Sequence, residues 1–112
     1  MSAEALGELL AASAASGSEP DAQLMDVREP DEWATARLPH FKLYPTSAAP
    51  SWADGIAELL DKSKTTIVLC HHGVRSYSVA SFLVGKGFTD VVNVTGGIDA
   101  YSRSVDRSVP MY

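Results

Sequence analysis

Residues 70–76 read Cys-His-His-Gly-Val-Arg-Ser, a run in which nearly every residue type has a use at a nucleophilic centre. It lies between the most strand-like segment of the chain, Thr65 to Leu69, and the most helix-like, Ser76 to Lys86. A stretch from Cys70 to Arg75 that turns directly into a helix wraps its backbone N–H groups into a concave nest, with the helix N-terminus aimed at the same point. The anion available to fill that nest is the Cys70 thiolate. Free cysteine titrates near ~8.5, and a helix N-terminus with a cation nearby brings this to roughly 3.5–7.5, so Cys70 is the expected nucleophile. Gly73 suits a turn that needs positive φ or lets a ligand approach the backbone, Val74 lies in the same loop, Arg75 supplies the cation and Ser76 caps the helix. A second reading stays open, in which Cys70 is a small buried hydrophobe and Gly73 an ordinary turn residue.

His71 and His72 edge the pocket in one reading, adding positive charge at low pH, and point outward in the other. Adjacent ligands in a tight loop rarely converge on one ion, and no distant cluster is legible to complete a site with Cys70, His71 and His72, so neither metal nor cofactor is expected. Trp33 and Trp52 read as core anchors, and Gly96-Gly97 as a tight turn beside the loop.

The elements that position this run alternate along the chain. Leu6, Leu9 and Leu10 fall at helical spacing in residues 3–15, with Ser2 as N-cap and Ser16-Gly17-Ser18-Glu19-Pro20 as the stop. Gln23 to Val27 reads as a buried strand, and Pro30 opens a short helix over residues 31–36. Residues 37–50, with Pro39, Pro45 and Pro50, read as mostly irregular, and residues 51–62 as a helix with Trp52, Ile56, Leu59 and Leu60 on one face. Thr65 to Leu69 is continuous and β-branched, as strands in the middle of a parallel sheet are. Val79, Phe82, Leu83 and Lys86 share a face of the helix over residues 76–86, which Gly87 ends. Val91 to Val94 is a further short strand, residues 98–104 a last helix, and residues 105–112 a tail expected along the surface. Such alternation predicts an α/β fold whose parallel sheet is covered on both faces.

Composition narrows the function classes. With 112 residues, 46% hydrophobic and 21% charged, the chain reads as one globular domain over residues 1–112. No apolar run approaches the ~20 residues that span a bilayer, and the start lacks the features of a signal peptide, so no membrane association is expected. Nine Lys+Arg against fourteen Asp+Glu give a net charge of −5, without a basic run, which argues against nucleic acid as a partner. Between Lys62 and Thr89 stand Lys62, Lys64, Arg75 and Lys86 with no acid at all. This acid-free stretch either presents a positive patch to a small anion or is a set of unrelated surface lysines. A lone cysteine, Cys70, forms no internal disulfide and points to a reducing compartment.

The sequence resembles the rhodanese-like domain family of single-domain sulfurtransferases. Three motifs carry the resemblance, which spans about Gln23 to Ala100: Asp26-Val27-Arg28-Glu29-x-x-Glu32-Trp33, Cys70-x-x-Gly73-x-Arg75-Ser76, and Val94-Thr95-Gly96-Gly97-Ile98-x-Ala100. It departs from the family where Ala36-Arg37-Leu38-Pro39-His40-Phe41 replaces the usual Gly-His-Ile-Pro-Gly-Ala, and where Tyr101 replaces a tryptophan. The Gly-Gly-Ile-Asp-Ala-Tyr segment and the ending Val-Asp-Arg-Ser-Val-Pro-Met-Tyr look like members from cyanobacteria and plastids.

What the resemblance implies is a three-layer α/β/α fold with a central, mostly parallel sheet, and a Cys70 that takes a sulfane sulfur from a donor and passes it on. Residues 71–76 would be the active-site loop. Asp26 and Arg28 would sit at the end of a neighbouring strand, either helping to fix the loop or forming a structural ion pair. Only four residues separate Cys70 from Arg75, one fewer than in phosphatases of the Cys-x5-Arg type, which favours attack on sulfur over phosphorus. Arg75, the helix end and Lys64 would attract a small anionic donor such as thiosulfate; with no second cysteine, the acceptor would be an external thiol or cyanide, and a protein thiol fits the same role. Two other classes stay open, a non-catalytic binding module and a Cys-dependent phosphatase or arsenate reductase. A monomer is expected, in the cytoplasm or alternatively the plastid stroma.

Overall fold

The computed structural model describes all 112 residues. In chain order the elements are α1 (Ala3–Ser16), β1 (Gln23–Asp26), α2 (Pro30–Thr35), β2 (Lys42–Leu43), a 3-10 turn (Thr46–Ala48), α3 (Ala49–Trp52), α4 (Ile56–Leu59), β3 (Thr66–Leu69), α5 (Val74–Gly85), β4 (Val91–Asn93) and α6 (Gly97–Ser104). The strands form one parallel sheet in the order β2-β1-β3-β4. From β1 the chain winds outward to β2, returns to β3 beside β1, and winds outward again to β4. The reversal falls between β1 and β3, and the carboxyl ends of strands at such a switch point are where open α/β sheets hold ligands.

Side chains of a strand alternate between faces, and that period separates two cores. Leu24 of β1 with Ile67 and Leu69 of β3 pack with Leu6 and Leu10 of α1 and Ile98 and Tyr101 of α6. Met25 and Val27 with Val68 and Cys70 pack with Trp52 of α3, Ile56 of α4, and Val79 and Leu83 of α5. The three-layer arrangement expected from the alternation is therefore present. Cys70 shares the parity of Val68, so its side chain falls on the α5 face of the sheet.

Local chemistry explains the ends of the elements. Ser2 accepts from the Ala5 N–H at 3.1 Å to cap α1, and Gly17 ends it in the left-handed region. At α2 the chain has a reciprocal cap, with Glu29 and Glu32 each accepting from the other's backbone and Pro30 at the first position.

Two expectations are corrected. The helix expected over residues 51–62 is broken into α3 and α4 at Ala53–Gly55, because the Asp54-Gly55 pair favours a turn over helix interior; Leu59, expected on the apolar face of that helix, is 57% exposed. Within the mostly irregular segment 37–50 lies a two-residue edge strand, β2, which pairs with Met25 and Asp26 and is too short to show periodicity. Helix α5 begins at Val74 with Gly73 at its N-cap, so Ser76 is not the cap but a buried residue of the first turn.

A buried ion pair locks the end of β1. Asp26 and Arg28 are both fully buried, and Arg28 Nε and Nη2 donate to the two carboxylate oxygens at 3.0 and 2.7 Å. Its remaining donors reach the carbonyls of Ala36 at 2.6 Å and Glu32 at 3.3 Å and the Tyr112 hydroxyl at 2.9 Å, so the guanidinium is satisfied without water. Removing one member of such a pair strands the other charge in the core. Arg28→Ala is expected to lower the unfolding free energy by about 3–5 kcal/mol, measured by urea denaturation; a loss under about 1 kcal/mol would show that the pair does not hold the fold.

Candidate active site

β3 ends at Leu69, and Cys70 is the first residue beyond it rather than the last within it. Only Cys70 to Gly73 form the turn before α5 starts. Gly73 adopts φ 95°, and a Cβ there would lie 3.2 Å from the Gly96 nitrogen and 3.3 Å from the Val94 carbonyl, so glycine is required both by conformation and by space. That tight turn points the Gly73 N–H back at Cys70 Sγ, 3.0 Å away, and places the Ser76 hydroxyl 3.3 Å from the same sulfur. Cys70 itself is 1% exposed. Burial pushes its thiol upward, but the Ser76 hydroxyl and the backbone amides of Ser76, Gly73 and His72 outweigh it, and the net shift is downward. The dipoles of the loop thus favour the thiolate, as in the nest expected from the sequence.

Two supports hold the loop in that shape. Asn93, at the end of β4, donates from Nδ2 to the Gly73 carbonyl at 3.1 Å and accepts from the Ser76 hydroxyl through Oδ1. Ser76 has one proton for two acceptors, Asn93 Oδ1 and Cys70 Sγ, and the Asn93 contact is the shorter of the two. From below, the first turn of α6 closes on the loop. Ile98 N–H donates to the Cys70 carbonyl at 2.9 Å and Asp99 N–H to the His71 carbonyl at 3.1 Å. Gly97 is pressed so close that a Cβ would sit 2.4 Å from both carbonyl oxygens. The double glycine therefore does serve a turn beside the loop.

The electrostatics differ from expectation. Arg75 is not a free cation, because its Nη1 and Nη2 fork onto the two oxygens of Glu32 at 2.6 and 2.8 Å. Lys64 precedes β3, at the opposite end of the strand from Cys70, and takes no part in the site. The acid-free stretch does not stay acid-free on folding: α2 brings Glu32 and α6 brings Asp99 beside it. Asp26 and Arg28 stand at the neighbouring strand end as a self-satisfied pair. What remains to attract an anion is the start of α5 and the loop amides.

His71 is partly buried and His72 exposed, their ring centroids 3.9 Å apart. Burial first, and His72 second, hold the His71 imidazole below its usual range. The tail does not simply follow the surface. Tyr112 returns to the site, where its ring stacks on His71 with centroids 3.9 Å apart and 10° between planes, and its hydroxyl donates to Glu32 at 2.7 Å. Burial, the Glu32 bond and the opposing Arg28 bond together leave the phenol pushed up to about 12. Asn93, Glu32, Asp99 and Tyr112 are the site residues to which sequence reasoning assigned no role. Only Asn93 had a local signal, a polar side chain closing an otherwise apolar strand.

The chain is similar to known proteins. The family profile of the rhodanese-like domain matches residues 8–104, and the chain belongs to this family. It is 50% identical over 92 residues to the rhodanese-like/PpiC domain-containing protein 12, chloroplastic, of Arabidopsis thaliana, covering 82% of this chain and 31% of that protein. It is 39% identical over 86 residues to the thiosulfate sulfurtransferase GlpE of Pseudomonas syringae pv. syringae (strain B728a), covering 74% of each. Among solved structures, a rhodanese-like domain protein from Staphylococcus aureus superposes with a TM-score of 0.74 at 29% identity, covering 100% of this chain and 96% of that one. The chain thus spans under a third of its plant relative. No helix is long and apolar enough to cross a membrane.

The Arg75–Glu32 fork makes a pH prediction. Arg75 first, with the Glu29 amide and Tyr112 adding to it against burial, lowers the Glu32 carboxyl from its ordinary 4.5 to about 2. A depressed acid contributes stability that is complete above the unfolded value and lost as pH falls through the folded one, here between 4.5 and about 2. Arg75 is 35% exposed, so solvent screening keeps the contribution near that of surface pairs, about 1 kcal/mol. Glu32→Gln is expected to be less stable at neutral pH and to lose less on acidification, as read by thermal melting across that window; parallel wild-type and variant profiles would contradict this.

Proposed function

We propose that this protein is a thiosulfate sulfurtransferase-like enzyme that carries a sulfane sulfur as a persulfide on Cys70. The observation that supports the reading best is the sulfur cradle: a buried thiol whose pKa is lowered by the Ser76 hydroxyl and the loop amides, in a chain with no other cysteine. Family membership and the resemblance to a named thiosulfate sulfurtransferase support the same reading.

The mechanism follows from the geometry. A small anion such as thiosulfate approaches the start of α5, drawn by the amide dipoles. The Cys70 thiolate attacks the outer sulfur; an S–S bond forms to Cys70 as the S–S bond within the donor breaks, and sulfite leaves with the electron pair. The terminal sulfur of the persulfide carries the negative charge, and the same cradle that held the thiolate stabilises it. An external nucleophile, cyanide or a thiol, then attacks that terminal sulfur and releases the Cys70 thiolate. No proton transfer is needed in the cyanide half-reaction. With one covalent intermediate between two substrates, the kinetics are ping-pong.

The same environment disfavours phosphoester hydrolysis, which needs a protonated acid for the leaving oxygen. Glu32 at about 2 is ionised at neutral pH and locked to Arg75, Asp99 is likewise lowered, by Arg103 first, and Tyr112 at about 12 is a weak acid. The closed position of Cys70 also suits a donor of few atoms. The acceptor comes from outside the chain, as a monomer with a single cysteine requires. For compartment, a reducing one fits a working thiol, the cytoplasm or the plastid stroma; the chloroplastic relative supports the latter.

After thiosulfate treatment and removal of excess reagent, intact-mass analysis is expected to show one added sulfur atom on the wild-type chain and none on Cys70→Ser, with thiocyanate formed when cyanide is added. A Cys70→Ser chain that still gains sulfur would overturn the assignment. Release of phenol from an aryl phosphate without thiocyanate formation would favour the phosphatase class instead, and neither product the binding module.

A further inference from the structure

One cluster of ligating side chains at the shoulder of the loop has no part in the sulfur chemistry. His71 and His72 follow Cys70, Asp99 lies in the first turn of α6, and one ligand atom from each of the three lies within 4.8 Å of the others. Asp99 lies 27 positions beyond His72 in sequence, and what joins it to the loop is the bond from the Asp99 N–H to the His71 carbonyl at 3.1 Å. The juxtaposition is thus built by backbone, not by flexible side chains meeting by chance.

A second observation points to a ligand. His71 Nε2 is closed from solvent and has no hydrogen-bond partner; Ser102 Oγ is the other buried side-chain polar atom in that state. Buried polar atoms are nearly always paired, and an orphan is a place to look for a missing ion or water. The His71 ring packs against Tyr112 and His72, each centroid 3.9 Å away, and His72 has to swing off that stack to reach the same ion.

We propose that His71, His72 and Asp99 form a zinc-binding site. Two imidazoles and one carboxylate are a borderline donor set that suits zinc and disfavours magnesium and calcium, which prefer oxygen. Three protein ligands leave the fourth tetrahedral position open. Ligand bonds of ~2.0–2.2 Å place tetrahedral donors ~3.3–3.6 Å apart, so the widest-spaced donor atoms have to close by up to roughly 1.5 Å. His72 is exposed and free to turn, and the partner Asp99 would share, Arg103 at 3.0 Å, is 62% exposed and weakly held. The site borders the sulfur cradle, which the His72 amide helps to form, but it requires no turnover, and its test reads metal alone.

The test is a calorimetric titration of zinc chloride into Cys70→Ser, which removes the thiolate as a competing ligand. Saturable uptake of one zinc per chain is expected. His72→Ala and Asp99→Asn in that background are each expected to weaken it at least tenfold, whereas His40→Ala, at the third histidine, leaves it unchanged. Absence of saturable uptake, full affinity in His72→Ala and Asp99→Asn, or loss of zinc in His40→Ala overturns the proposal. Should Cys70→Ser fail to fold, His72→Ala in the wild-type chain decides by the same titration: weaker binding supports the site and unchanged binding overturns it.

Discussion

A thiol that is 1% exposed can ionise only where hydrogen-bond donors take the place of water, and much of this fold can be understood as the means of supplying them. The donors are the Gly73 amide and the Ser76 hydroxyl, backed by further amides of the same turn. Backbone amides cost nothing to orient once the turn is made, but the turn is demanding. It needs the left-handed conformation of Gly73, the clamp of Asn93 on the Gly73 carbonyl, and an α6 that starts on a residue without a Cβ. The strand parity that puts Cys70 on the α5 side completes the arrangement.

Charge is arranged in closed pairs around that cradle. Asp26 holds Arg28 in the interior and Glu32 holds Arg75 at the rim, with Tyr112 bridging Arg28 and Glu32. Neutral pairs stiffen the loop's surroundings without adding a strong net field. The positive potential left at the loop comes from short-range dipoles at the start of α5, whose reach is limited to the first turn. Under the proposed function, a donor would have to come close to be recognised, which favours one small enough to enter a nearly closed site.

The parts of this account legible in the sequence were those coded by local pattern. Thr65 to Leu69 announced the central strand, Ser2 and Gly17 the limits of α1, and the Cys70 to Ser76 run the nucleophile and its turn. What the chain did not disclose depends on contacts between distant segments. Arg75 looked like a free cation because Glu32, its partner, lies 43 positions earlier. The stretch without acids looked electropositive because Asp99 and Glu32 arrive from other elements. Residues 51–62 kept a helical period across Asp54-Gly55, where turn chemistry prevailed. The tail carried no periodic signal, and Tyr112 found its place through a phenol bond and a ring stack that only the folded chain presents.

The central claim is that dipoles of the loop hold Cys70 as a thiolate despite its burial. A titration of the thiolate ultraviolet absorbance in the native protein, with Cys70→Ser as the blank, tests it most directly. The account predicts a midpoint below the ~8.5 of free cysteine. A midpoint at or above that value would mean that burial prevails over the cradle, and would contradict it.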